Sequence, residues 1–147
     1  MNQIVETIAE NLISIHPLLY KSISRPIRSK ASITPGGMFV LGSLKRHGSL
    51  SMTDIGKCLS MPKPHITLIV DRLIEAGFVV RQNDTKDRRI INISLTSKGL
   101  KDFEKIKQKS SEILKSKLIL LDDQELETLA TATQQVKEIL ISILSKV

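Results

Sequence analysis

Between Ser51 and Gly77 the chain holds two helical stripes with only a few residues between them. Ser51, with Asp54 three residues on, resembles a capping box and opens a short helix through Ile55, Cys58 and Leu59 that ends near Ser60. "MPKPHITLIVDRLIEAGF" follows at once. Its prolines, Pro62 and Pro64, fall in a first turn, where a missing N–H costs least. Ile66, Ile69, Val70, Leu73 and Ile74 then share one face, and Gly77 is a stop. The opposite face of this second helix is left for another purpose.

"NDTKDRRIINISLTSKG", Asn83 to Gly99, reads as a β-hairpin and its exit. Ile91, Ile93 and Leu95 alternate onto one face and Asn92 and Ser94 onto the other, so a strand anchored in a core holds out a tip carrying Lys86, Arg88 and Arg89. Two short helices, a tight turn and a hairpin make the pattern of a winged helix-turn-helix. The expected fold class is mainly α with a small β-hairpin wing.

The flanking segments are helical. Ile4, Val5, Ile8, Leu12 and Ile15 stand at helical spacing, and "HPLLYKSISR" continues the pattern beyond Pro17, which is expected to kink or restart the helix. Thr34 is a cap and Pro35 a first-turn proline for a helix through Met38, Val40, Leu41 and Leu44 to Gly48. From Thr96 a helix of about twenty residues places Leu100, Phe103, Ile106, Ser110, Ile113 and Leu114 toward one side. In "DDQE", Asp122 caps the last helix with Glu125 reaching back; Leu126, Leu129, Thr133, Val136, Leu140, Ile143 and Val147 then form a heptad seam. With Ala130, Ile139 and Leu144 beside it, the stripe is wider than a small winged module can cover, and a second copy of the chain is the simplest cover.

Charge separates the same regions. Of the net +7, residues 20–100 hold fourteen Lys/Arg against five Asp/Glu, a net +9, whereas residues 1–19 carry −2 and residues 101–147 are neutral. A basic middle with neutral ends points to a polyanionic partner for the middle alone, set against a merely solvated basic surface. One cysteine excludes an intramolecular disulfide framework, and the acidic N-terminus and short apolar runs point to a cytoplasmic chain with no membrane association. No nucleophile elbow, phosphate loop or metal-ligand set is present, so the chain is read as not an enzyme and as needing no cofactor.

On a helical wheel of 62–76, Pro64, Leu68, Asp71 and Glu75 point away from the core, with His65 and Arg72 on one flank and Thr67 on the other. Lys63, Pro64, His65, Thr67 and Leu68 lie in the turns that would enter a major groove, where His and Thr can bond base edges and Leu can touch a thymine methyl. In the tip, Asp87 stands two residues before Arg89, as an orienting carboxylate would, although an idle surface ion pair has the same spacing.

"DTKDRRIINISLTSKG" resembles the wing of the MarR/SlyA family of bacterial transcription regulators, "HITLIVDRLIEAGFVVR" its recognition helix, and "LDDQELETL" the start of its last helix. The resemblance implies a helical dimerisation domain from residues 1–30 and 100–147 and a winged helix-turn-helix DNA-binding domain from residues 31–99. It implies a homodimer on double-stranded DNA, a repressor on an inverted-repeat operator released by a small-molecule effector or an oxidant. The rival from another class is a winged-helix protein-protein interaction module without DNA specificity.

Carried over residue by residue, Asp87 and Arg89 match the family's wing pair and Thr67 and Arg72 its recognition helix; Lys63, Pro64, His65 and Leu68 on that helix and Lys86 and Arg88 in the tip are DNA-binding candidates by their position in this chain. Dimerisation falls to Ile4, Ile8, Leu12, Leu129, Thr133, Val136, Leu140 and Ile143, with Thr96 as the cap of the connecting helix. Leu68, where the family is frequently polar or basic, and the two prolines depart from the pattern. His16 and Tyr20, one turn apart, are the ligand-pocket candidates, against a packing or capping role near Pro17; Cys58, beside Ile55 and Leu59, is read as core.

Overall fold

The caps read from the sequence are made by side chains in the computed structural model, which describes residues 2–24 and 33–146. After α1 (Asn2–Ser24), α2 (Pro35–His47) opens where the Gly37 amide donates to Thr34 Oγ1 at 3.1 Å and closes at Gly48, φ 82°. α3 (Met52–Leu59) is capped by Ser51, whose Oγ accepts from the Asp54 amide at 3.1 Å while its hydroxyl donates to Asp54 Oδ2 at 2.6 Å. α4 (Lys63–Glu75) starts at Pro62, and Gly77 beyond it takes a φ of 74°, a left-handed conformation that glycine adopts without strain. α5 (Ser97–Leu118) is capped by Thr96, and α6 (Asp123–Leu144) begins with the reciprocal Asp122–Glu125 capping box.

The sheet has three antiparallel strands, β1 (Ser49–Ser51), β2 (Val79–Asn83) and β3 (Ile91–Leu95), in the order β1-β3-β2. Leu50 pairs with Ile93 on one side of the central strand, and Arg81 pairs with the same Ile93 on the other. β1 was not expected from the sequence. Three residues are too few to show a period of two, and the strand exists because β3 offers it a free edge.

The chain divides into two compact units, Met1–Ser110 and Ser111–Val147. The core of the first comes from Val40, Leu41 and Leu44 of α2, Ile55 of α3, Ile66, Ile69, Val70 and Leu73 of α4, Phe78, Val79 and Ile93 at the sheet, and Phe103 of α5. Each fully buried side chain of this size contributes about 1.5–3 kcal/mol, which is how elements of eight or five residues hold a fixed place. In the second unit Leu129, Val136, Ile139, Leu140, Ile143 and Leu144 of α6 are exposed, whereas Leu126 near its start is partly buried. Val147, the last member of the expected seam, and the expected domain boundary at residues 30 and 31 lie outside the described residues.

Of the two outcomes expected at Pro17, the restart does not occur: α1 runs through it as one helix, because a proline removes one main-chain hydrogen bond and the helical pattern continues on both sides of it. One expectation is corrected. Cys58 is exposed rather than core. Ile55 alone in α3 is buried, and it is Leu59, one turn after it, that packs against the core, leaving Cys58 beside that face. Leu100 and Ile91 are also exposed, because Phe103 supplies the core contact from α5 and Ile91 lies toward the wing tip, opposite Asn83.

At the root of the wing the backbone comes too close for a side chain. The Thr96 hydroxyl reaches Gly77 O at 2.7 Å and its oxygen accepts from the Gly99 amide at 2.9 Å, while the Thr96 amide donates to Phe78 O at 3.0 Å. A Cβ on Gly99 would lie 1.9 Å from the Phe78 carbonyl oxygen. Gly99→Ala must push the start of α5 off the strand root. The expected cost is about 3 kcal/mol, at the upper end of overpacking effects. Urea unfolding checks it: the midpoint should drop at unchanged m-value, and an unchanged midpoint would mean that the junction relaxes freely.

Candidate nucleic-acid interface

With Ile66, Ile69, Val70 and Leu73 buried, the geometry of a helix fixes which α4 residues face outward. Lys63, Pro64, His65, Leu68 and Arg72 are exposed, and Thr67 and Asp71 partly so. Leu68 is 51% exposed, an apolar side chain left in water on the face opposite the core. The Thr67 hydroxyl donates to Lys63 O at 3.0 Å, so toward an outside group Thr67 offers a lone pair and a methyl rather than a proton. No acidic residue stands in the first turn of α4, and the positive end of the helix dipole is left unopposed there.

The wing tip is built by two carboxylates. Asp84 Oδ1 accepts from the amides of Lys86, at 2.8 Å, and Asp87, at 3.0 Å, while Asp84 Oδ2 accepts from Asn92 Nδ2 at 2.9 Å. Asp87 in turn takes Arg89 Nε on Oδ1 at 3.1 Å, Arg89 Nη2 on Oδ2 at 3.2 Å and the Arg89 amide on Oδ1 at 3.0 Å. The expected Asp87–Arg89 pair therefore forms, and in the bidentate geometry that fixes a guanidinium plane. Its Arg89 side chain is 91% exposed. Arg88 and Lys86 are exposed beside it.

These contacts also set protonation. The Asp87 and Lys86 amides, then Asn92, hold the Asp84 carboxyl below its usual value; the Arg89 side chain, then its amide, does the same for Asp87. Depressed carboxylates contribute order above the usual carboxylate range and lose it only as pH falls through the depressed value. At neutral pH both are charged and the turn is fully bonded.

Asp84 and Asn92 were not singled out from the sequence. The available signal was the Asp two residues before Lys86, since an aspartate that bonds an amide two residues on is a recurrent turn device. A second missed contact joins the two elements: Arg81 Nη2 of β2 lies 2.5 Å from Asp71 Oδ1 of α4. His16 and Tyr20 are exposed on α1. A cleft of about 80 Å³ beside Thr34, Arg72 and Phe78 is well below the size of a drug-sized ligand site.

The segment that carries this geometry, residues 33–91, matches the model of the MarR family. The HTH-type transcriptional repressor MdtR of Bacillus subtilis is 35% identical over 109 residues, covering 74% of this chain and 70% of that protein. The chain belongs to the MarR family. Among solved structures, the YusO protein of Bacillus subtilis superposes with a TM-score of 0.73 at 30% identity, covering 94% of this chain and 97% of its own. NadR in complex with 4-hydroxyphenylacetate superposes with a TM-score of 0.64 at 27% identity, covering 88% and 91%. As a MarR-family protein the chain is a DNA-binding transcription regulator and not an enzyme, with a winged helix-turn-helix as its DNA-binding fold. Among the described residues, no helix is long and apolar enough to cross a membrane.

Proposed function

We propose that this regulator is a homodimeric repressor that reads an inverted-repeat operator with α4 in the major groove and the wing in the flanking minor groove, and that a small molecule releases it. The observation that carries the reading is the wing tip: Asp87 presents the Arg89 guanidinium in a bidentate grip while the rest of that side chain stands in solvent. An arginine held this way loses little rotamer freedom on entering a narrow, strongly negative groove. Lys63, Pro64, His65, Thr67, Leu68 and Arg72 are the proposed contacts of the recognition helix. Lys86 and Arg88 are assigned to phosphates and Arg89 to the minor groove. That MdtR is a repressor supports the sign of regulation, and the complex of NadR with 4-hydroxyphenylacetate supports a small-molecule effector.

The wing supplies the test. On a selected site Arg89→Ala should cost about 1–3 kcal/mol, more than Arg88→Ala, and should weaken the preference for flanking A·T pairs. Lys86→Ala should weaken all sequences about equally and lower the salt slope by roughly one unit per phosphate lost. Asp87→Ala removes a negative charge and should nevertheless impair binding. Tighter operator binding by Asp87→Ala with the dimer intact would reduce the wing to a basic patch. A thermal-shift screen checks for the effector.

A further inference from the structure

The hairpin leaves the core at the rung formed by Arg81 and Ile93. Ile93 is fully buried, whereas no residue from Gln82 to Asn92 is buried. Opposed residues in an antiparallel pair point to the same face of the sheet, so Arg81, two residues after the buried Val79, is directed to the core side rather than outward. There it meets Asp71, one helical turn after Thr67 on the same flank of α4. The side chains are 45% and 46% exposed, so the pair adds little to folding stability by itself. Its place in the fold gives it another use.

We propose that the Asp71–Arg81 ion pair is a brace that sets the angle of the wing to the recognition helix, making both side chains positioning residues for operator reading. The inference rests on α4 and the wing being the two DNA-contacting elements proposed above. A duplex fixes the offset between a major groove and the minor groove beside it. A helix and a hairpin that enter both must hold that offset before binding or give up freedom on binding. From residue 82 outward the hairpin is cantilevered, and the brace acts at its support. The same contact turns the Asp71 carboxylate toward a cation of its own chain, on a helix that faces phosphates.

The test is a double-mutant cycle on operator affinity with Asp71→Asn and Arg89→Ala. Distant sites with no shared partner lose affinity additively; a brace makes them couple, because a wing already released has less to lose at its tip. Asp71→Asn should weaken operator binding roughly two- to tenfold, the cost of ordering one or two freed groups. The double variant should then lose less than the product of the single losses. Unchanged or tighter binding by Asp71→Asn, or losses that multiply in full, would overturn the brace. A DNA-free arm separates this from the DNA reading itself: residual dipolar couplings of α4 and of residues 82–92 should fit one orientation in the wild-type protein and not in Asp71→Asn. If the wild-type protein bound no duplex, the function proposed above would fail, while a common fit in both proteins would overturn the brace.

Discussion

Affinity for duplex DNA is expected to fall by about a thousandfold or more between roughly 50 and 200 mM salt. The expectation follows from where the positive charge stands. Residues 20–100 carry a net +9, and the exposed cations include Lys63 and Arg72 on α4 and Lys86, Arg88 and Arg89 in the wing. Two copies on an inverted repeat would bring two such sets to the backbone, and six or more neutralised phosphates release enough counterions to give that loss. In such a dimer the two recognition helices should sit roughly one helical turn of DNA apart, about 34–36 Å. Fluorescence anisotropy across a salt series checks the slope. A flat response would mean that phosphates contribute little and that the charge is merely a solvated surface.

Simultaneous replacement of Leu129, Val136 and Leu140 by Asp is expected to abolish the dimer, giving monomer or insoluble chain. All three side chains are exposed on α6, in one stripe with Ile143 and with Ile139 and Leu144 beside it. The hydroxyl of Thr133, in the same stripe, donates to Leu129 O at 2.7 Å and so leaves its methyl outward. On α1, Ile4 and Ile8 are exposed and Leu12 is half-buried. An apolar stripe running the length of a helix such as α6 is rarely left to water, and a stable interface needs about 800 Å² from each partner. Sedimentation at micromolar concentration decides it, and a well-folded wild-type monomer there would refute the dimer.

The parts legible in the sequence are those with a local cause. Thr34, Ser51, Thr96 and Asp122 act within three residues of themselves, and each forms the cap expected of it. The apolar face of α4 follows from spacing alone, and so did the Asp87–Arg89 pair, two residues apart. What escaped depends on partners distant in sequence. β1 is a strand because of β3, more than forty residues later. The Asp71–Arg81 pair depends on how a hairpin lies against a helix, which no periodicity reports. Cys58 failed for a subtler reason: a helix as short as α3 buries a single residue, and a neighbour at helical spacing need not share its fate. Asp84 escaped in part because of a distant partner, since one of its oxygens is bound by Asn92, eight residues on across the hairpin.

Because nothing from Gln82 to Asn92 is buried, the wing tip and the scaffold answer to separate physical constraints. A change at Thr85, Lys86, Arg88 or Ile90 meets water rather than a packed neighbour, and such changes usually alter stability by no more than about 0.5 kcal/mol. Gly99 and Phe78, where main chain meets main chain, have no such latitude. The tip is therefore an interchangeable part. With Asp84 and Asp87 kept to hold the turn, its outer side chains can be exchanged one at a time while every intermediate stays folded, so the contacts proposed for the wing can change without rebuilding the scaffold.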